Sequence, residues 1–466
     1  MPGSWEPLEP IGMQHRAIHL AHLKIGQYLY WADGSAFGTP TALYDASDTD
    51  QQPIYFTGQN LNLHCCGHCA LPDGRILTAG GEFDSNGKAP TFAAIFDANA
   101  LPSNPWTRVA DMHEHRWYPT CTLLPSGKVA VFGGWITDSP VTTADTPEVY
   151  HPATDTWSLE SSATRVQEVY PFMFVMPDGR LFDAGPHRDT FFLDLSTWTW
   201  GAAIDSLLPH CSDSSAVMFD AVLGRVLKAG GAPVANNPTG AATDMAVVFG
   251  GPTSPTWTQV GNMNLARRDH NMVVLPDGKV VALGGCALPT PQSPVMRAEV
   301  FDPSTGQWTV DPVDVEMAIP RWYHSSASLM DDGRVMTAGG DNYNPPVCQN
   351  AQYYVPAYLQ GNPLRSQWVM NAVPQVMEYG VEYTISVVQV EGRTLKLAAL
   401  TRLTTVTHGF DQDQRYVPLK FEMSGGQAKV TAPANAAVAP PGYYLLWVLD
   451  DLGVPCLRAA YVRIGV

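Results

Sequence analysis

The sequence predicts an all-β molecule, a seven-bladed β-propeller followed by a smaller β-sandwich, on three observations. Turn residues are abundant, a strand–turn–strand unit recurs at nearly constant spacing, and its punctuation stops about 100 residues before the end. The 466 residues include 40 Gly and 39 Pro, above the roughly 12% these two types usually supply. Trp (13) and Tyr (18) are plentiful and charged residues are few, the profile of many short strands joined by tight turns.

The repeat defines the blades. A weak copy, "HLAHLKIGQYLYWADG", opens the chain. It is followed by "ALPDGRILTAGG" ending at Gly81, "LLPSGKVAVFGG" at Gly134, "VMPDGRLFDAGP" at Pro186, "FDAVLGRVLKAGG" at Gly231, "VLPDGKVVALGG" at Gly285 and "LMDDGRVMTAGG" at Gly340. The intervals run from 45 to 55 residues. In each unit an apolar strand meets a D-G or similar turn, where Gly takes up positive φ at no steric cost, and a second apolar strand ends in Gly-Gly. Outer strands such as "PEVYHPATDTW" and "AEVFDPSTGQW" complete several units. A repeat of about 50 residues with this grammar reads as a kelch blade, and the propeller is expected over residues 1–362. From about Ser366 the Gly-Gly punctuation is gone. The short alternating runs "YTISVVQV", "LKLAALTRL", "VPLKFEM", "AKVTAPA" and "YYLLWVLDD" suit an immunoglobulin-like β-sandwich over residues 363–466.

Charge excludes some partners. The net charge of −17, with no basic stretch, repels nucleic acid and anionic membrane surfaces. No apolar run approaches the roughly 18 residues of a membrane span. The start, "MPGSWEPLEP", lacks a charged segment followed by an apolar one, so no signal peptide is expected in it. Eight cysteines fit either a reducing or an oxidising compartment.

The stretch "NLHCCGHCALPDG" (62–74) carries two His and three Cys in six residues. A structural zinc site needs a second close pair of ligands. Cys121, Cys211, Cys286, Cys348 and Cys456 each stand alone, and no C-x-x-C is followed by His. Repeat phase is more informative. Sixteen positions before the last Gly of a unit stand Cys65, Tyr118 and His324, with Tyr323 one step earlier. The same count gives Tyr170 from Pro186 and Asp269 from Gly285, beside Arg268 and His270. Inner strands of a propeller line its axis, so these side chains are expected at one end of it. Neighbouring strand residues face opposite ways. Tyr323 and His324 therefore share a centre only if the chain is irregular there.

Taken together, "HCCGHCALPDGRILTAGG", "HRWYPTCTLLPSGKVAVFGG", "PRWYHSSASLMDDGRVMTAGG", "THGFDQDQRYVPL" and "APPGYYLLWVLDDLGVPC" resemble the signature segments of the galactose oxidase and glyoxal oxidase family, the copper radical oxidases. The resemblance spans the chain in order and spacing. It implies a copper cofactor held by Tyr118, Tyr323, His324 and His408, the last reaching in from the C-terminal domain. It also implies that Cys65, rather than Cys66, is joined by a thioether to the ring of Tyr118, which carries a tyrosyl radical. Imidazole and phenolate donors with an open position suit Cu(II). Cys65, Tyr118 and Tyr323 are the catalytic set, with Tyr323 as general base. Trp135 either stacks over the radical or closes its blade. Tyr170, Arg268, Asp269 and His270 are candidate substrate contacts.

By this resemblance the substrates are a small aldehyde, as its hydrate, or a primary alcohol, together with O2, and the product is H2O2. The "RWYP" and "VPAYL" segments lean toward the glyoxal oxidase branch, and no carbohydrate-binding domain is expected ahead of the propeller. A sugar-oxidising galactose oxidase-like enzyme is the alternative. A non-catalytic kelch propeller that binds a partner, or a copper oxidase without the crosslink, are the other readings. A secreted or cell-surface monomer is expected. Cys69 and Cys121 are candidates for a disulfide between blades.

Overall fold

The computed structural model describes residues 2–465 apart from positions 14, 25, 33–37, 47–52, 57–60, 102, 210, 212, 234–239, 290–292, 313–314, 342–347, 361–368, 389–391 and 425–426. Seven antiparallel sheets form the blades of a β-propeller, and an eight-stranded sheet that curls on itself follows. The inner strands of blades 1 to 7 are His19–His22, Gly67–Ala70, Thr120–Leu123, Met173–Val175, Ser215–Asp220, Arg268–Val274 and Ser325–Leu329. They are buried almost throughout, on both faces, because each blade packs against two others. The ring closes where Ser4–Gly12 pairs with Asn350–Val355 as the outer strand of blade 7 (Ser4 opposite Val355). The expected boundary at 362/363 lies outside the described residues. No helix among the described residues is long and apolar enough to cross a membrane.

In the C-terminal sheet, Tyr416–Ser424 pairs through its first half with Leu395–Arg402 and through its second with Gln427–Thr431. The sheet thereby curls around Trp447, Leu446 and Val430. Ahead of it, Thr405–Thr407 leaves the domain and pairs with the inner strand of blade 1, His19 opposite Thr407. The next residues fill the axis. Gln412 Oε1 accepts the His68 and Cys121 N–H groups (3.2 and 2.8 Å), Asp413 Oδ2 accepts that of Ala70 (2.6 Å), and Gln414 Oε1 that of Val274 (2.6 Å). Arg415 donates to the Val175 carbonyl (2.7 Å). These are inward-facing backbone groups of blades 2, 3, 4 and 6, which a dry channel would otherwise leave unpaired.

Blades are tied together at the Gly-Gly motif. The second Gly donates to a carbonyl of the next blade: Gly81 to Arg116 (3.1 Å), Gly231 to Arg267 (2.7 Å) and Gly285 to Arg321 (2.7 Å). The first Gly lies so close that a Cβ on Gly80 would sit 2.3 Å from Arg116 O and one on Gly284 2.2 Å from Arg321 O. Only Gly tolerates that approach together with φ of +74° and +67°. Each of these arginines is fully buried and returns a bond to its own blade: Arg116 to Gly133 O (2.8 Å), Arg267 to Gly284 O (2.9 Å), Arg321 to Gly339 O (2.8 Å). Glu148 and Glu299 neutralise the first two, at 3.2 and 3.0 Å. Arg321 instead meets the neutral amide of Asn350, and burial lowers its pKa to about 10.

This difference is testable. Arg267→Met strands the Glu299 carboxylate in the interior and is expected to cost about 3–5 kcal/mol. Arg321→Met leaves only neutral groups unpaired and is expected to cost less. Urea midpoints of the two variants read the order directly.

Candidate functional site

The five residues sharing the repeat phase, Cys65, Tyr118, Tyr170, Asp269 and His324, all adopt left-handed backbone, with φ of 63°, 60°, 46°, 54° and 64°. For side chains with a Cβ this costs on the order of 1 kcal/mol each and persists only where the surroundings hold it. Backbone bonds between blades hold it here. Tyr118 N–H donates to Cys65 O (3.0 Å), Tyr170 N–H to Tyr118 O (2.8 Å), and Asp269 N–H to Asp213 O (2.8 Å). The irregularity lets neighbours share a side. Tyr323 lies along His324 (ring centroids 3.9 Å apart, 27° between planes), and Trp117 lies flat on Tyr118 (3.5 Å, 8°).

His408 arrives on the turn between Thr405–Thr407 and Phe410–Asp411, itself left-handed at φ 51°. Its Nε2 is 2.8 Å from the Tyr118 hydroxyl, which is 2.6 Å from that of Tyr323. The His324 ring stands at 4.7 Å and 89° to that of His408. The structure thus brings Tyr118, Tyr323, His324 and His408 to one place, although they come from two blades and the second domain.

The surroundings aim the imidazoles. His408 Nδ1 meets Thr407 Oγ1 at 2.7 Å, and His324 Nδ1 meets Asp341 Oδ2 at 2.9 Å. Asp341 is also paired with Arg16. His324 Nε2 is buried with no hydrogen-bond partner among the described residues. Burial lowers the pKa of both His324 and His408. Burial raises those of Tyr118 and Tyr323, and the Cys65 thiol adds to the rise. Neutral imidazoles aimed by oxygen partners, beside two buried phenols that only a nearby cation would ionise, fit a divalent metal such as copper. The set offers two N and two O donors.

Cys65 packs against Tyr118 and Tyr170. Tyr170 stacks on Tyr118 (4.5 Å, 27°) and donates to Cys66 O (3.1 Å). Two near-parallel rings so close occupy opposite faces, so Tyr118 is sandwiched between Trp117 and Tyr170. Trp135 is one ring farther out. It contacts Trp117 (5.0 Å) and exchanges backbone hydrogen bonds with it. The ring on Tyr118 comes from its own neighbour in "RWY", because the left-handed turn lays the two side by side.

Arg268 pairs with Asp213 and with Asp269 (3.2 Å to the latter). Burial, then the Asp213 charge, pushes the Asp269 carboxyl up to about 8 against the pull of Arg268. The charges of both carboxylates add to the upward shift of Tyr323. The fully buried ring of His270 lies against Gly230 and its Cβ against Gly285, within the blade wall. Cys69 and Cys121 are neighbours across blades as free thiols in hydrogen-bond contact, not a bridge.

Sequence reading missed Trp117, Asp341 and Thr407. Each is next in sequence to a residue it did single out or to a terminal Gly, but nothing local says which way such a side chain turns.

Comparison with known proteins bears on this arrangement. Residues 344–464 match the family described as "Galactose oxidase-like, Early set domain". A galactose oxidase of Gibberella zeae is 27% identical over 477 aligned residues, covering 94% of this chain and 67% of its own. The aldehyde oxidase GLOX of Vitis pseudoreticulata is 24% identical over 435, covering 83% and 79%. A solved structure of a fungal alcohol oxidase in complex with copper, described by its catalytic diversity among the AA5 family, superposes with a TM-score of 0.86. It is 25% identical, and the match covers 100% of both chains.

Removing the carboxylate behind His324 tests the fit to a metal. Asp341→Ala is expected to weaken Cu(II) binding roughly 10–100-fold, read by competition with a chelator of known affinity. Unchanged affinity would take Asp341 out of the site.

Proposed function

From the chain's membership of the galactose oxidase and glyoxal oxidase family, we propose that it is a copper radical oxidase that oxidises small hydrated aldehydes or primary alcohols and reduces O2 to H2O2. The observation that carries the reading is the convergence of Tyr118, Tyr323 and His408 within 2.6–2.8 Å, with the Cys65 thiol against Tyr118. A propeller that only binds partners on its loops has no use for this set.

Tyr118, Tyr323, His324 and His408 are the residues that would hold copper. When bound, the metal would accept one of the two electrons that leave the substrate. Tyr118 accepts the other. Joined through sulfur to Cys65, its ring is richer in electrons and easier to oxidise, and Trp117 and Tyr170 on its two faces keep water away. Tyr323 takes the substrate hydroxyl proton as general base. Arg268, paired with Asp213 and Asp269, offers polar groups suited to the hydroxyls of an alcohol or an aldehyde hydrate. Tyr170 packs on the rings of Tyr118 and His408 with its hydroxyl on Cys66 O, and the His270 ring lies against Gly230.

Primary alcohols are the second reading, favoured by the whole-chain likeness to an alcohol oxidase. Peptide mass spectrometry on copper-loaded, air-exposed protein is expected to find the Cys65 and Tyr118 peptides joined with loss of two hydrogens. Separate peptides after proven copper binding would sink the radical reading. Peroxide formed from glyoxal and from a short primary alcohol, compared by kcat/KM, decides between the two substrate classes.

A further inference from the structure

Two residues beside the proposed cofactor, His64 and Glu82, have no part in holding copper, and both lie close to the cofactor cysteine. Cys65 is 1% exposed, so its thiol proton has no direct route to water. The Glu82 carboxylate lies close to this thiol, and Tyr118 packs against the Cys65 side chain. Sγ of Cys65, a ring nitrogen of His64 and a carboxylate oxygen of Glu82 lie within 4.8 Å of one another.

Both oxygens of Glu82 are held. Oε1 accepts the N–H of Phe83 (3.0 Å), and Oε2 faces His64 Nδ1 at 3.1 Å. Phe83 in turn stacks on Trp117 (5.0 Å), so the carboxylate is tied to the ring that covers Tyr118. The Glu82 side chain is 29% exposed and that of His64 15%, so the carboxylate is the more open route from the thiol to solvent.

We propose that Glu82 is the base that takes the Cys65 thiol proton when Cys65 and Tyr118 are joined, and that His64 is the positioning residue that aims its carboxylate. The inference rests on the oxidase reading above. In the joining step the S–H bond of Cys65 and one ring C–H bond of Tyr118 break, and a C–S bond forms. The two electrons and two protons released reduce one O2 to H2O2. Glu82 receives the sulfur-bound proton and releases it through its exposed edge to solvent, which returns one proton to the reduced oxygen, so the step balances.

A base beside the thiol is needed because Cys65 is closed off from water and the joining step must remove its proton. Glu82 stays ionised. Burial works against it, but the His64 contact, the Phe83 N–H and the thiol together bring its pKa below the ordinary value. Gln in its place keeps the shape and removes the basicity.

The test starts from protein purified without copper under nitrogen, then mixed with Cu(II) and air. The joined Cys65–Tyr118 peptide is followed by mass spectrometry over time. Glu82→Gln is expected to join about 10²-fold more slowly than the wild-type chain while binding copper at the same stoichiometry. Glu82→Ala is expected to be as slow and to be accelerated by added formate, which a merely structural role would not produce. His64→Ala is expected to fall between. Joining of Glu82→Gln at the wild-type rate would overturn the proposal, as would the absence of formate rescue. A wild-type chain that binds copper and never joins would instead overturn the oxidase reading, and this proposal with it.

Discussion

Inner strands of a propeller end at its axis with backbone groups that have no further strand to pair with. In this chain the segment from Thr405 to Arg415 takes that place. It adds a strand to blade 1 and supplies Gln412, Asp413, Gln414 and Arg415 to the N–H and C=O groups of four other blades. Each unpaired buried group would cost about 1–3 kcal/mol. The same segment carries His408, so the bonds that fill the channel also set the height and angle at which that imidazole meets Tyr118.

A second constraint acts from the opposite direction. The Gly-Gly ends bring each blade against the backbone of the next, with Arg116, Arg267 and Arg321 as buried struts. Just beyond each strut stands a site residue or its neighbour. The chain leaves the strut, turns left-handed at Tyr118, Asp269 or His324, and enters its inner strand. Strain at the site is therefore offset by bonds in the blades. The rings of Trp117, Tyr118, Tyr323 and His324 face where they do because of that turn, not because of strand alternation.

The fold was legible because a repeat is a redundant signal. Seven copies of one hairpin grammar outvote the weak first copy and the unit that ends in Pro186. Phase within the repeat also marked Cys65, Tyr118 and His324, since position along equivalent strands becomes position along one axis. The assignment of His408 came only from family resemblance, because "THGFDQDQRYVPL" lies outside the repeat and has no phase to count. His270, one step past the counted Asp269, shows the limit of phase, with its ring against Gly230, whereas Tyr170, counted directly, meets Tyr118 and His408.

By itself the sequence determined the all-β class and the number of blades, and it picked out Cys65, Tyr118 and His324 by their shared phase. These follow from hydrophobic period and turn chemistry, which act over a few residues and are written locally. Only the tertiary structure decided that Trp117 rather than Trp135 covers Tyr118, that Asp341 and Thr407 aim the two imidazoles, and that Glu82 lies close to the Cys65 thiol. Such contacts depend on side-chain direction at left-handed positions and on packing between segments far apart in the chain. Neither leaves a period to read.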